Sequence, residues 1–165
     1  MLRKTFAKAL LCSMVLSIGL TSAPQALAGG FYVSVERPAK GDTELKDAVL
    51  LVRAYGCHNP EDANLTASAE GIINGKRQSI PVQLIKTSKG VFAIKQQWAT
   101  NGAWVLNISG AYLGATRSLL VELGAQGKVQ TGSDSNVLAR KADRKFTAAE
   151  VDSALQDVSG KIARS

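Results

Sequence analysis

The residues with the greatest chemical capacity in this sequence are one adjacent pair, Cys57 and His58. They lie in the segment 56–63, whose glycine, asparagine and proline residues predict a loop after an apolar strand. Thiolate and imidazole are ligands of zinc and copper, but a zinc site needs about four ligands. Glu61 and Asp62, or a second protein chain, would have to complete the set. The pair is therefore a candidate metal site, with copper as the metal.

Two other roles for the pair stay open from the sequence. Cys57 is either a buried or unreactive thiol beside a surface histidine, or it forms a mixed disulfide with a partner protein. A cysteine nucleophile needs a base that a third group orients, and His58 is too close along the chain to reach the Cys57 sulfur easily. The sequence contains no recognisable catalytic set, so we expect a protein that is not an enzyme.

The two tryptophans are the next candidates. Trp104 shares a predicted strand face with apolar neighbours, and burying about 200 Å² of indole favours folding strongly, so we expect it in the core. Trp98 lies next to a turn at residues 100–102. Trp98 is therefore the better candidate for exposure and for stacking on a ligand such as a sugar or contacting a partner, although a core position remains the leading expectation for both rings.

A basic run near the end of the chain could contact an anionic surface. Its cations are interrupted by Asp143, and Glu150 and Asp152 follow closely. No known nucleic-acid-binding module surrounds it, so we predict a solvated linker and no nucleic-acid partner. The cations are Arg140, Lys141, Arg144 and Lys145.

Residues 1–28 have the layout of a cleavable signal peptide. A basic start leads into the apolar run 9–20, and Ala26 and Ala28 place small residues before the predicted cut. The run is shorter than the roughly 20 residues that a membrane-spanning helix needs. No later segment is long and apolar enough to span, so we expect a periplasmic or secreted protein with no membrane span after cleavage.

Cleavage would change the composition of the chain. Three of the 20 basic residues and none of the 13 acidic ones would be lost, so the formal net charge would fall from +7 to +4. Both methionines would go, and one cysteine and one histidine would remain. A lone cysteine cannot form an internal disulfide, so the apolar core must stabilise the fold.

The remaining sequence is organised as short strands followed by a helix. Alternating or continuous apolar residues, separated by turn signals, predict about seven strands between residues 29 and 123, typical of an all-β, immunoglobulin-like sandwich. Asn74-Gly75 is a strong signal for a two-residue hairpin turn. Pro81 cannot donate a ladder hydrogen bond, which predicts an edge or a bulge. The predicted strands are 31–35, 48–55, 65–73, 76–85, 91–97, 104–109 and 115–123.

The last 42 residues change in character. Residues 124–145 are rich in glycine and polar side chains and predict a polar and basic linker. Thr147 and Glu150 form the pattern of a capping box, so we predict a C-terminal helix within 146–165, from about 148 to 159 or further. Val151, Leu155 and Val158 recur at helical spacing and would dock it by one apolar stripe.

Part of the chain resembles a known group of proteins. Gly90-Val91-Phe92-Ala93-Ile94, followed by Gly102-Ala103-Trp104-Val105-Leu106-Asn107-Ile108, resembles the strands of small exported immunoglobulin-like domains of the YtkA and FixH kind, which are related in architecture to CopC-type copper carriers. The resemblance implies a sandwich fold and an association with copper. The copper ligands of that group are histidine and methionine, and here only His58 is left to match them.

These observations lead to one functional hypothesis and two alternatives. We expect a noncatalytic, extracytoplasmic β-sandwich that binds another envelope component, either a protein or a small ligand. The first alternative is a copper-handling accessory protein that uses Cys57 and His58. The second is an enzyme based on carboxylate, lysine or tyrosine chemistry, for which the sequence supplies no motif.

Overall fold

The computed structural model describes residues 30–39, 45, 47–132 and 136–164. The predicted signal peptide, residues 1–28, lies outside the described residues. Within those ranges, none of the helical segments has the length and apolar character needed to cross a bilayer.

The described residues form nine antiparallel strands and one α-helix, which confirm the predicted all-β sandwich with a C-terminal helix. The four-stranded sheet has the order β1-β2-β6-β5, and the five-stranded sheet has the order β4-β3-β7-β8-β9. The strands are β1 (Tyr32–Glu36), β2 (Ala48–Tyr55), β3 (Asn64–Ile73), β4 (Lys76–Pro81), β5 (Ile85–Ser88), β6 (Val91–Lys95), β7 (Ala103–Tyr112), β8 (Ala115–Leu123) and β9 (Ala139–Ala142), and the helix is α1 (Ala148–Ile162).

The chain crosses between the two sheets three times, after β2, β4 and β6. The predicted strand 76–85 is divided by one of these crossings. Pro81 is the last residue of β4, which is an edge strand, and β5 begins at Ile85 in the other sheet. Proline therefore marks the point where the strand leaves its sheet, in keeping with its missing amide donor.

Two tight turns join neighbouring strands of the five-stranded sheet. Asn74 and Gly75 both have positive φ, 50° and 74°, so the predicted hairpin turn is confirmed. Leu113 and Gly114 form a second turn with φ of 44° and 82°. This turn was not predicted, because leucine rarely adopts positive φ.

The main core lies between the two sheets. On β7, Trp104, Leu106 and Ile108 point towards the four-stranded sheet and are buried. The prediction that Trp104 is a core residue is confirmed: its side chain is 1% exposed and its Nε1 donates to the Asn101 carbonyl at 2.7 Å. Gly71 on the neighbouring strand makes room for the indole, because a Cβ there would lie 2.3 Å from it.

Helix α1 forms a third layer on the outer face of the five-stranded sheet. Its start is the predicted capping box: Thr147 Oγ1 accepts from the Glu150 amide, and the Glu150 carboxylate accepts from the Thr147 amide. One face of the helix is buried against the outward-pointing residues of β7 and β8. The buried helix residues are Val151, Ala154, Leu155 and Val158, and they pack with Ala103, Val105 and Leu120.

The prediction that residues 124–145 are a linker is wrong, because β9 lies inside this segment. It pairs with β8, and two isolated bridges, Leu123 with Val129 and Thr131 with Val137, tie the preceding loop to the structure. Two arginines of the basic run form separate ion pairs. Arg140 lies 2.6 Å from Asp157 of the helix, while Arg144 binds both carboxylate oxygens of Glu150.

The docking of α1 can be tested by truncating its buried face. Leu155→Ala should lower the free energy of unfolding by about 2–5 kcal/mol, because it leaves a cavity at a fully buried site. Gln156→Ala, at the exposed neighbouring position, should change it little. Urea unfolding of both variants measures the difference, and equal effects would show that the helix does not pack on the sheet.

The capping box predicts a defined acid response. The hydrogen bonds from Arg144, together with those from Thr147, lower the pKa of Glu150 from 4.5 to about 2. A carboxylate with a depressed pKa stabilises the fold above pH 4.5, and that contribution is lost as the pH falls to about 2. The advantage of the wild type over Glu150→Gln should therefore shrink across this range in urea unfolding. A constant difference between the two proteins would contradict the assignment.

Candidate ligand-binding groove

Cys57 and His58 lie in the loop after β2, as the sequence predicted. Cys57 is a free, half-buried thiol that packs against the main core, and His58 is exposed. Glu61, a candidate to complete a metal site, is 3.2 Å from Lys89 Nζ. Across the described ranges, no group of three or more histidine, cysteine, aspartate or glutamate residues is arranged to hold a metal ion. Copper binding by Cys57 and His58 stays a prediction.

Trp98 lies in the core, as was expected for both tryptophans, and it is not the exposed ring that the alternative of ligand stacking requires. Its side chain is only 4% exposed, and Nε1 donates to the Gly127 carbonyl at 2.9 Å. Gly127 has φ of +66°, and a Cβ at this position would lie 2.6 Å from the indole nitrogen. The loop after β8 therefore closes over Trp98, and the ring offers no face to a ligand.

The exposed aromatic surface is formed by two tyrosines instead. Tyr32 on β1 and Tyr55 on β2 are direct cross-strand partners. Their side chains lie on the outer face of the four-stranded sheet and are 47% and 44% exposed. The rings are stacked with centroids 5.5 Å apart and planes 27° apart. Rings of this kind offer an apolar face together with a polar hydroxyl.

Two cations reach the same region from the five-stranded sheet. Leu119 on β8 points into the main core, and Arg117, two residues earlier, lies on the same face. Lys141 on β9 is the cross-strand partner of Leu119, so it also lies on this face. Lys141 is exposed, and β9 is the edge strand of its sheet.

Together these residues line a groove between β1 and the β8–β9 pair, with Val33 and Leu119 at its base. Its volume is about 530 Å³, within the range of small-ligand sites. We call it the Tyr–Arg groove and define it by five side chains. They are Tyr32, Tyr55, Arg117, Lys141 and Asp143.

Arg117 connects the aromatic and charged parts of the groove. Its guanidinium carbon is 5.9 Å from the centroid of the Tyr32 ring, a cation–π distance. Its Nε is 3.3 Å from Asp143 Oδ1, and one terminal nitrogen donates to the Thr116 carbonyl at 2.9 Å. Two cations and one carboxylate leave the groove with a local excess of positive charge, which favours an anionic ligand.

Sequence reasoning missed three of the five groove residues and treated the other two, Lys141 and Asp143, as part of a solvated linker. Tyr32 and Tyr55 come together only through the register of β1 on β2, and Arg117 reaches Tyr32 only because the packing of the two sheets places β1 beside β8. The available signal was weak: Tyr32 shares its strand face with the polar Ser34, but Tyr55 shares its face with both Arg53 and the apolar Leu51.

Comparison of the chain with protein-family models, with curated proteins and with solved structures gave no significant match. The resemblance to YtkA-like and FixH-like domains therefore stays a prediction.

The burial of both tryptophans can be checked by fluorescence. We expect native emission to be blue-shifted and weakly quenched by iodide, because the two indoles are 4% and 1% exposed. Quenching should become strong in urea. Strong quenching of the native protein that disappears in Trp98→Phe would show that Trp98 is exposed after all. That variant removes the donor to the Gly127 carbonyl, at a cost of about 1–3 kcal/mol, so its folding should be verified first.

Proposed function

We propose that the mature chain is a noncatalytic binding protein of the cell envelope and that it holds an anionic ligand in the Tyr–Arg groove. The observation that carries this proposal is the exposed tyrosine pair in contact with Arg117. Large aromatic side chains favour burial, and two of them about half exposed at one spot mark a surface suited to an interaction.

The surroundings of the groove support a rigid binding site. Tyr32 and Tyr55 are fixed on paired strands, and Arg117 is held by the Tyr32 ring and the Thr116 carbonyl. Side chains positioned in this way lose little conformational entropy when a ligand binds. The central strands β7 and β8 of the five-stranded sheet, which are buried over most of their length, provide the support on the other side of the groove.

The polar groups of the groove favour binding over catalysis. Ser118 lies between Arg117 and Leu119 on β8, so its side chain points to the opposite face of the sheet, where it donates to Ser109 Oγ at 3.1 Å rather than to a histidine or carboxylate. A serine nucleophile needs such a base to activate it. The tyrosines, Arg117 and Lys141 are well suited to hold an anion or a flat ring.

The envelope location is supported by the sequence of residues 1–28, with its basic start, apolar run and small residues before position 29. The excess of basic residues in the remaining chain suits the anionic polymers and surfaces that an envelope presents.

The proposal predicts binding to envelope material that depends on the groove. The purified chain should co-sediment with envelope fragments of the organism that encodes it, and high salt should weaken the binding because exposed charges are screened. Tyr55→Ala and Lys141→Glu should each weaken it by roughly tenfold, which corresponds to about 1.4 kcal/mol.

Lys86→Glu provides a matched control. Lys86 is exposed on β5, at the opposite edge of the four-stranded sheet, so this variant makes the same change in net charge away from the groove. Loss of binding in Lys86→Glu equal to that in Lys141→Glu would mean that only net charge matters. That result, or no sedimentation of the wild type, would contradict the proposal.

A further inference from the structure

The contact between Arg117 and Asp143 leaves much of the arginine's binding capacity unused. A guanidinium can bind a carboxylate through two parallel N–H groups. Arg117 Nε lies 3.3 Å from Asp143 Oδ1, and the Asp143 side chain is 84% exposed whereas that of Arg117 is 28% exposed. A highly exposed partner contributes little to stability, so another carboxylate can displace it at low cost.

The aromatic pair next to this contact determines what else the ligand carries. Stacked tyrosine rings present a flat apolar surface, and the hydroxyls at their edges donate and accept hydrogen bonds. A pyranose ring matches this surface, because one face displays C–H groups and its rim displays hydroxyls. Tyr32 and Tyr55 supply this surface, since Trp98 and Trp104 are both buried.

The open edge of β1 argues against a peptide that adds as an extra strand. That edge contacts β8, and the interaction of Arg117 with the Tyr32 ring spans the gap between the two sheets. A peptide strand would have to break this interaction to reach the main-chain groups of β1. Recognition by side chains, as in sugar binding, leaves it intact.

We infer that the ligand of the Tyr–Arg groove is an acidic polysaccharide built from uronate sugars. One sugar ring packs on Tyr55 and its carboxylate binds Arg117 and Lys141. In the free protein, Asp143 occupies the place of that carboxylate and competes with the ligand. This inference rests on the proposed function, and it adds the ligand class and an internal competitor.

The test is calorimetric titration of the purified chain with trigalacturonate. Two comparison probes separate the parts of the inference: maltotriose has sugar rings without carboxylates, and triglutamate has carboxylates without sugar rings. Trigalacturonate should bind more tightly than both. Tyr55→Ala should weaken its binding by roughly fivefold to tenfold, and Lys141→Glu should also weaken it.

Asp143→Asn distinguishes an internal competitor from a structural residue. Removing the competing charge should make trigalacturonate bind roughly twofold to fivefold more tightly, whereas loss of a supporting residue would weaken binding. Asp143 is exposed, so the variant should fold normally, which its urea midpoint will verify. Unchanged or weaker binding of trigalacturonate by Asp143→Asn would contradict the role of Asp143 as an internal competitor.

The remaining outcomes separate this inference from the proposed function. Equal binding of triglutamate would show that charge alone is recognised, and equal binding of maltotriose would show that the carboxylate is irrelevant. Either result would contradict the inference that the ligand is an acidic sugar. If trigalacturonate does not bind but envelope fragments still bind in a groove-dependent manner, the ligand class is wrong and the proposed function stands. If neither binds, both fail.

Discussion

Strand β7 is buried on both of its faces, and the arrangement of all three layers depends on this. Trp104, Leu106 and Ile108 pack against the four-stranded sheet, while Ala103 and Val105 pack against α1. A strand with apolar residues on both faces cannot lie at a solvated surface without a large loss of hydrophobic stabilisation. The helix is therefore part of the domain, and the sheet it covers is the rigid support for one side of the groove.

Charged residues complete the outer layer where the apolar contacts end. Glu122 on β8 is 8% exposed on the helix side of the sheet, and it forms ion pairs with Lys161 of α1 and Arg140 of β9. Arg140 also binds Asp157. A buried carboxylate needs such partners, because an unpaired charge in this position is costly. The same network joins the last strand to the helix and so fixes β9, from which Lys141 enters the groove.

The sequence was a good guide to single elements and a poor guide to their combinations. Apolar continuity predicted β2 and β8 with the bounds that the structure has, and the capping box predicted the start of α1. Strand β9 was missed because an edge strand with Arg140 and Lys141 on opposite faces has no apolar pattern. Trp98 could be named as a candidate for exposure only because the sequence hides its cover, which comes from Gly127, 29 residues away. The groove was invisible for the same reason: long-range register and sheet packing bring its residues together.

The three crossings between the sheets have a consequence for how the protein is made. Neither sheet consists of consecutive strands. The β1–β2 pair can join β6 only after β3, β4 and β5 have been synthesised, and the β3–β4 pair can join β7 only after β5 and β6 have been synthesised. Because synthesis begins at the N-terminus, the apolar faces of the first strands stay exposed until well past the midpoint of synthesis. The nascent polypeptide therefore exposes apolar surface of the kind that holding chaperones bind.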